Sequence, residues 1–117
     1  MRRDLMLFVQ DIKESCEAIF DFIENMELEE FANDRKTYSA VIREFEIIGE
    51  AVKHLPKTIF EKYPQIRWRD IGDFRNLLIH EYFGVDNEIV FNTAKLDLPE
   101  LYETIRSIEN DLNTQRL

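Results

Sequence analysis

Residues 69–86 have the sequence RDIGDFRNLLIHEYFGVD, which combines a helical apolar pattern with a group of polar residues suited to a site. Its apolar residues recur at the three- and four-residue spacings of a buried helical stripe: Ile71, Phe74, Leu77, Leu78 and Tyr82. Gly84 follows at a position where a residue in the left-handed conformation can end a helix. The pattern therefore predicts a core helix over about residues 68–83.

Apolar stripes on both sides of this stretch predict further helices. Asp34 and Asp86 are suited to capping two of them, because an aspartate side chain can accept hydrogen bonds from the first free N–H groups of a helix. The last stripe is compatible with one kinked helix or with two joined helices. The predicted helices cover about residues 3–25, 27–33, 34–54 or 37–54, 56–63 and 86–112.

Two kinds of residue do not fit a single apolar stripe. Gly49 lies inside the second long helix, where glycine costs ~1 kcal/mol relative to alanine. A close crossing with another helix would account for it, since no side chain would hold the partner away. Leu7 and Phe22 fall off the stripe of the first helix, either as a second core face, which is the simpler interpretation, or as a partner surface. Together with Phe83 and Phe91 they form a surplus of apolar residues that we expect a homodimer to bury.

Size and composition favour a single all-helical domain. The chain has 117 residues, of which 44% are apolar and 33% charged, with only three glycines and three prolines. This is a globular composition without the turn-bounded alternation of strands. We therefore predict one domain over residues 1–117, an all-α, up-and-down bundle of four to six helices.

Several classes of protein are excluded or disfavoured by the same composition. No apolar run approaches the ~20 residues needed to span a membrane. The Met1-Arg2-Arg3 start is followed by Asp4, which is unlike a signal peptide. Cys16 is the single cysteine, so no internal disulfide can form, and no Cys/His spacing indicates zinc. We expect a cytoplasmic protein without a metal or other cofactor.

The charge is acidic overall but uneven along the chain. The net charge is −9, which argues against general nucleic-acid binding. Residues 57–80 nevertheless hold five bases and three acids, a net charge of +2, so the remainder carries −11. This strip either admits one phosphate backbone or consists of bases that pair with neighbouring acids.

The candidate site lies at the end of the predicted core helix. Arg75 carries a permanent charge and a planar fork of donors suited to phosphate, although it could equally pair with Asp73, Glu46 or Glu50. His80 carries an imidazole, a side chain suited to general acid–base chemistry, and could act as a general acid or base, or could cap the helix end. Asn76 shares a helix face with His80 and could orient its ring or contact substrate. Tyr82 follows the apolar stripe, which favours core packing, and His54 lies beside a helix stop, which favours capping.

Helix geometry separates the two principal candidates. At ~100° per residue, the side chains of Arg75 and His80 point about 140° apart on a straight helix. Their convergence on one phosphate needs the long arginine side chain, a distorted last turn or a second subunit.

These residues also carry a resemblance to a known family. The motif Arg-x4-His-x-Tyr at residues 75–82 resembles the signature of HepT-like proteins of the HEPN superfamily. Similar flanking words occur at residues 43–51, 82–86 and 97–101. The resemblance covers nearly the whole chain in the expected order.

The resemblance implies a dimeric HEPN-like bundle with metal-independent ribonuclease activity on RNA, with tRNA as one candidate target. Arg75 would stabilise the charge on the phosphorane, and His80 would serve as general acid and base. Asn76 and Arg69 would contact the substrate. The chain would be the toxin of a toxin–antitoxin pair, silenced when an MntA-like nucleotidyltransferase antitoxin transfers AMP to Tyr82.

Two other kinds of function stay open at this point. One is a non-catalytic helical dimer that binds a nucleotide or docks the nucleotidyltransferase through the same cleft. The other is a plain dimerisation bundle. Cleavage requires both Arg75 and His80, nucleotide binding would survive the loss of His80, and dimerisation would survive the loss of both.

Overall fold

The helices predicted from the apolar stripes are present in the computed structural model, which describes residues 2–81 and 85–114. In chain order they are α1 (Arg2–Ile23), α2 (Leu28–Ala32), α3 (Arg35–Val52), α4 (Lys57–Lys62), α5 (Trp68–His80), α6 (Asn87–Asn92), a π-helical segment (Thr93–Asp97) and α7 (Leu98–Asn113). Since α6, the π-helical segment and α7 follow one another without a break, these residues form six helical rods and no strand. The all-α fold class is confirmed.

The final rod settles the choice between one helix and two. It is a single helix interrupted by the π-helical segment. Pro99 lies in the first turn of α7, where its ring nitrogen has no hydrogen to donate to the preceding turn. The wider π-helical turn before it carries the chain past this missing hydrogen bond.

The four longest α-helices are packed in the order α5, α3, α1, α7. α1 therefore lies inside the bundle, between α3 and α7, and its predicted stripe is buried. The buried apolar side chains of α1 and α3 are Val9, Ile12, Cys16, Ile19, Ile23, Val41, Ile42, Phe45, Ile48, Ala51 and Val52. Complete burial raises the pKa of the Cys16 thiol to about 12, which suits a packing role.

The predicted caps and the short helices are found where the sequence places them. The Asp34 carboxylate accepts from the backbone N–H of Thr37 at 3.1 Å. The Asp86 side chain accepts from the N–H of Glu88 at 2.8 Å. Trp68 is buried at the start of α5. The two predicted caps are therefore confirmed. They could be predicted because each cap joins residues only two or three positions apart.

α5 differs from its prediction as a core helix. Only Trp68 and Leu78 on it are buried, and the side chain of Leu77, expected in the buried stripe, is 43% exposed. The reason is that α5 packs mainly against α3 and lies at the edge of the bundle. The described helix ends at His80, and the predicted stop at Gly84 lies outside the described residues.

The apolar residues beyond the stripes divide into two groups. Leu7 and Phe22 are 52% and 40% exposed, so a second core face is the wrong interpretation for them. Phe91 was expected at a partner surface, but it is buried and its ring packs 5.2 Å from that of Phe31. Phe83 lies outside the described residues.

α4 is attached to the end of α7 through a buried carboxylate. Asp111 accepts a short hydrogen bond from the Tyr63 hydroxyl, and its carboxylate lies 2.9 Å from the Lys62 ammonium. Burial and the Asp111 charge raise the pKa of Tyr63 to about 12. The phenol is therefore held in its neutral, hydrogen-bonding form. Among the helices described, none is long and apolar enough to cross a membrane.

Candidate active site

Arg75 is positioned by the crossing of α3 and α5. Gly49 of α3 lies directly beneath it, and a Cβ atom built at Gly49 would come within 2.2 Å of the Arg75 Cβ. The two backbones can approach this closely only because residue 49 has no side chain. The predicted close crossing is confirmed, and its partner is the candidate catalytic residue itself.

The Arg75 guanidinium is oriented by two neighbours. Its Nη2 donates to Oε2 of Glu50 at 2.9 Å, and its Nη1 donates to Oδ1 of Asn76 at 3.1 Å. Of the three acids considered as ion-pair partners, Glu50 is the one in contact. Each terminal nitrogen carries two N–H groups, so one N–H on each remains for a ligand. That pair matches the two oxygens of a phosphate.

One nitrogen of the Arg75 side chain is buried without a hydrogen bond to any described residue. Its Nε is buried and has no hydrogen-bond partner among the described residues. Burying a donor unpaired costs ~1–3 kcal/mol. The fold thus fixes the stem of Arg75 over Gly49 at an energetic cost, as is found where geometry matters for function.

The guanidinium opens onto a cavity of about 430 Å³ between α1, α3 and α5, which we call the Arg75 cavity. Its charged lining comprises two arginines and three acids, so with neutral histidine the balance is −1. The Arg75 cavity is therefore polar but not electropositive. It is lined by Phe8, Asp11, Arg43, Glu46, Ile47, Glu50, Ala51, His54, Arg75 and Ile79.

His54 is a member of this cavity that the sequence analysis missed. Its ring is stacked on Phe8, with centroids 4.4 Å apart and planes 7° apart. Its Nε2 lies 3.6 Å from Oε1 of Glu50, the carboxylate that also holds Arg75. The capping interpretation is therefore wrong, since the imidazole faces a carboxylate and an aromatic ring. The i,i+4 spacing from Glu50 was the one available signal.

His80 lies apart from the Arg75 cavity. It is exposed in the last turn of α5, and its imidazole makes no hydrogen bond or ion pair with any described residue. Ile79, four residues after Arg75, lines the cavity, whereas His80 does not. Because α5 is a regular α-helix from Trp68 to His80, the divergence expected from helix geometry holds. One chain thus presents Arg75 and His80 in different directions.

The other predicted site residues have separate settings. Asn76 is exposed and contacts Arg75 rather than His80. Arg69 is exposed near the start of α5, outside the Arg75 cavity. Tyr82 lies outside the described residues. Where residues 2–81 and 85–114 are concerned, no group of three or more His, Cys, Asp or Glu side chains could hold a metal ion.

The basic strip over residues 57–80 is largely neutralised. Three of its five bases form ion pairs: Lys62 with Asp111 (2.9 Å), Arg67 with Asp70 (2.8 Å) and Arg75 with Glu50 (2.9 Å). Of the two interpretations left open, pairing with acids accounts for most of the strip.

Comparison with known proteins identifies a family of similar chains. The family model described as "Ribonuclease HepT-like" matches residues 12–108. A protein of Methanocaldococcus jannaschii with a provisional RNase name is 45% identical over 111 residues, covering 95% of this chain and 92% of its own length. A second from that organism, also provisionally named an RNase, is 42% identical over 114 residues and covers 94% of each chain. A Thermococcus cleftensis protein provisionally named ribonuclease HepT is 43% identical over 101 residues, covering 86% of this chain and 92% of its own. No solved structure matches.

Proposed function

Because the chain belongs to the HepT-like ribonuclease family, we propose that it is an endoribonuclease with Arg75 and His80 as its catalytic residues. The observation that carries this proposal is the seating of Arg75, whose stem is fixed over Gly49 and whose guanidinium faces an open cavity with two N–H groups free. In this proposal the whole chain, residues 1–117, acts as one HEPN-like domain in the cytoplasm.

The reaction is a transesterification that uses the nucleophile of the RNA itself. The 2′-hydroxyl attacks the adjacent phosphorus and gives its proton to a general base, while the bond from phosphorus to the 5′-oxygen breaks. The departing 5′-oxygen receives a proton from a general acid. His80 serves in these proton transfers, and Arg75 stabilises the negative charge that develops on the phosphorane oxygens. No metal takes part, and DNA is spared because it has no 2′-hydroxyl.

The site is shared between two copies of the chain. Arg75 and His80 diverge on α5, so a second α5 brings the His80 of one copy towards the Arg75 of the other. The edge position of α5 and the exposure of Leu77 and Ile79 on it favour such a homodimer. Asn76 and Arg69 contact the RNA on either side of the cleaved bond, with tRNA as one candidate substrate class.

The activity is controlled by a partner in this proposal. The chain is the toxin of a toxin–antitoxin pair, and an MntA-like nucleotidyltransferase antitoxin transfers AMP to the Tyr82 hydroxyl. The support is the resemblance of the segment at residues 80–82 to the family motif. The added phosphodiester would compete with RNA for Arg75. Incubation with the nucleotidyltransferase, ATP and magnesium, followed by mass spectrometry, should locate AMP on Tyr82 and find none on Tyr82→Phe.

A second candidate function has one observation in its favour. Glu50 already neutralises Arg75, and the charged lining of the Arg75 cavity has a balance of −1, which suits an uncharged nucleotide base better than a phosphate. This candidate is a non-catalytic dimer that binds a nucleotide or docks the nucleotidyltransferase.

Cleavage of RNA by single-residue variants distinguishes these functions. His80→Ala and Arg75→Ala should each slow cleavage by on the order of 10²–10⁴-fold with the fold retained, and EDTA should have no effect. Arg106→Ala is the control for the loss of an arginine, because Arg106 lies on α7 and does not line the Arg75 cavity. Full activity of His80→Ala would refute the proposal, and nucleotide binding without any cleavage by wild type would establish the second candidate.

A further inference from the structure

A second cavity, of about 340 Å³, continues the Arg75 cavity along α3. We call it the Arg35 cavity. The two cavities share Arg43 and Glu46, so they meet on the exposed face of α3 and form one groove. Arg43 lies seven residues before Glu50, which is about 10 Å along the helix. The Arg35 cavity is lined by Arg35, Tyr38, Ser39, Ile42, Arg43, Glu46, Val85 and Asn87.

The charge of the groove changes sign along its length. The Arg35 cavity holds two arginines and one acid, a balance of +1, whereas the Arg75 cavity has a balance of −1. The end of the groove that attracts an anion is therefore the Arg35 cavity. Ser39 and Asn87 add a hydroxyl and an amide, which hydrogen-bond to phosphate, sugar or base.

The two arginines are available to a ligand. The Arg43 side chain is 70% exposed. Its ion pair with Glu46, at i+3, is long, with Nη1 and Oε1 3.9 Å apart. Arg35 is exposed and forms no ion pair within the described ranges. The preceding acid, Asp34, uses its two carboxylate oxygens on Thr37. Neither guanidinium therefore has to break a strong ion pair with a described residue before it can bind a ligand.

The Arg35 cavity also holds an aromatic ring in a fixed position. Tyr38 is half-buried, and its ring meets that of Phe31 edge to face at 6.3 Å. Aromatic rings of this kind stack unpaired RNA bases, and arginines beside them bind the backbone.

We propose that the Arg35 cavity is a nucleotide subsite for the single-stranded RNA substrate. Arg35 and Arg43 bind phosphate oxygens of the strand, and Tyr38 stacks one base, while the phosphate to be cleaved lies at Arg75. This inference rests on the proposed ribonuclease function. It also gives the RNA strand a direction: from the phosphate at Arg75 the strand runs along α3 towards the first turn of that helix. It also places the positive charge for binding on α3 rather than on the strip over residues 57–80.

The test is binding of a short, labelled single-stranded RNA to His80→Ala protein, measured by fluorescence anisotropy over a range of salt concentrations. Arg35→Gln and Arg43→Gln should each raise Kd by about five- to tenfold and reduce the slope of log K against log salt by about 0.7 per lost phosphate contact. Tyr38→Leu should raise Kd by on the order of tenfold, whereas Tyr38→Phe keeps the ring and should bind as before.

Arg106→Gln is the matched control. Arg106 forms the same kind of pair as Arg43, i,i+3 and 3.9 Å from Glu103, but it lies on α7 and lines neither cavity. The substitution changes the net charge equally and should leave Kd and the salt slope unchanged. Thermal melting of each variant checks that the bundle is intact.

The outcomes separate this inference from the proposed function. If wild type cleaves RNA but the Arg35 and Arg43 variants bind like the Arg106 control, the subsite is refuted and the ribonuclease function stands. If wild type neither binds nor cleaves RNA, both fall. If free AMP competes as well as the RNA oligonucleotide and depends equally on Arg35, the cavity binds a free nucleotide, and its assignment to the RNA strand is overturned.

Discussion

Replacing Gly49 by alanine tests how far the position of Arg75 depends on the crossing of α3 and α5. The new Cβ atom would lie 2.2 Å from Cβ and 2.6 Å from Cγ of Arg75. Restoring an ordinary contact requires the separation to grow from 2.2 Å to at least 3.4 Å, a displacement of about 1.2 Å. The clash is with the stem of the side chain, so rotation of the guanidinium cannot relieve it. The backbone of α5 must move.

The expected cost is the balance of two effects. Forcing an extra methyl group into a packed crossing costs ~1–3 kcal/mol, while alanine in place of a helical glycine returns ~1 kcal/mol. Contacts of 2.2 and 2.6 Å with the side-chain stem place this clash in the upper part of that range, at ~2–3 kcal/mol, so Gly49→Ala should lower the free energy of unfolding by about 1–2 kcal/mol. This corresponds to a fall in Tm of roughly 4–8 °C for a domain of this size. Thermal unfolding followed by circular dichroism measures it.

The rate of RNA cleavage should fall even at temperatures where the variant stays folded. A shift of ~1 Å in a catalytic group can cost up to ~10²-fold in rate, so we expect at least a tenfold loss of RNA cleavage well below Tm. Gly72→Ala is the control on α5, because a Cβ atom there meets nothing within 4 Å. It should raise stability by ~0.4–1 kcal/mol and leave cleavage unchanged. If Gly49→Ala melts and cleaves like wild type, the argument that residue 49 positions Arg75 is wrong.

Three further predictions concern the dimer, the site and the pH range. Leu77→Glu should convert the proposed dimer to a 14.1 kDa monomer in light scattering, whereas Leu96→Glu, at a residue already 74% exposed, should not. Glu50→Ala should slow cleavage about tenfold through loss of the arginine's orientation, yet lower stability by only ~0.2–1 kcal/mol because the Glu50 side chain is 49% exposed. Since the folded pKa of Tyr63 is raised to about 12 from 10.0, its contribution to stability is complete below pH 10 and lost as pH rises towards 12. Tyr63→Phe should weaken that alkaline dependence in pH-dependent melting, and an unchanged profile would contradict the role of the Asp111 hydrogen bond.

The helices were predictable from the sequence because their signals are local. The stripe of α1 repeats every three or four residues and identifies its buried face directly. The caps at Asp34 and Asp86 depend on residues within three positions. Gly49 also indicated a tertiary contact. Glycine destabilises a helix relative to alanine, so its presence inside a strong helical pattern is best explained by close packing of another helix.

The depth of α5 in the bundle was not predictable in the same way. Its stripe is as regular as that of α1, but periodicity shows only that a helix has an apolar face, not how many neighbours cover it. α1 packs between two helices and α5 mainly on one, so Leu77 is exposed although its spacing is correct. An interruption over residues 86–112 was expected from the sequence as a kink or a junction between two helices, but its π-helical form was not, because such a turn leaves the apolar spacing here almost unchanged.

The composition of the site depended on tertiary contacts that spacing cannot give. Glu50 was one of three acids considered for Arg75, and the choice among them is made by the angle at which α3 crosses α5. His54 enters the site through the same carboxylate and through Phe8 on a third helix. A sequence places each of these residues on a helix face, but only the packing of three helices brings the faces to one cavity.

This packing also explains how an acidic chain could bind RNA. At physiological salt, charges beyond ~8 Å are largely screened, so the net charge of −9 has less effect on a bound strand than the few groups in contact with it. Within the groove the charge runs from −1 around Arg75 to +1 around Arg35. A strand that contacts Arg75 alone must compete with Glu50, whereas a strand that also reaches Arg43 and Arg35 gains two guanidiniums without strong partners. Affinity would then require single-stranded RNA to follow the length of α3, and short or duplex RNA would bind weakly.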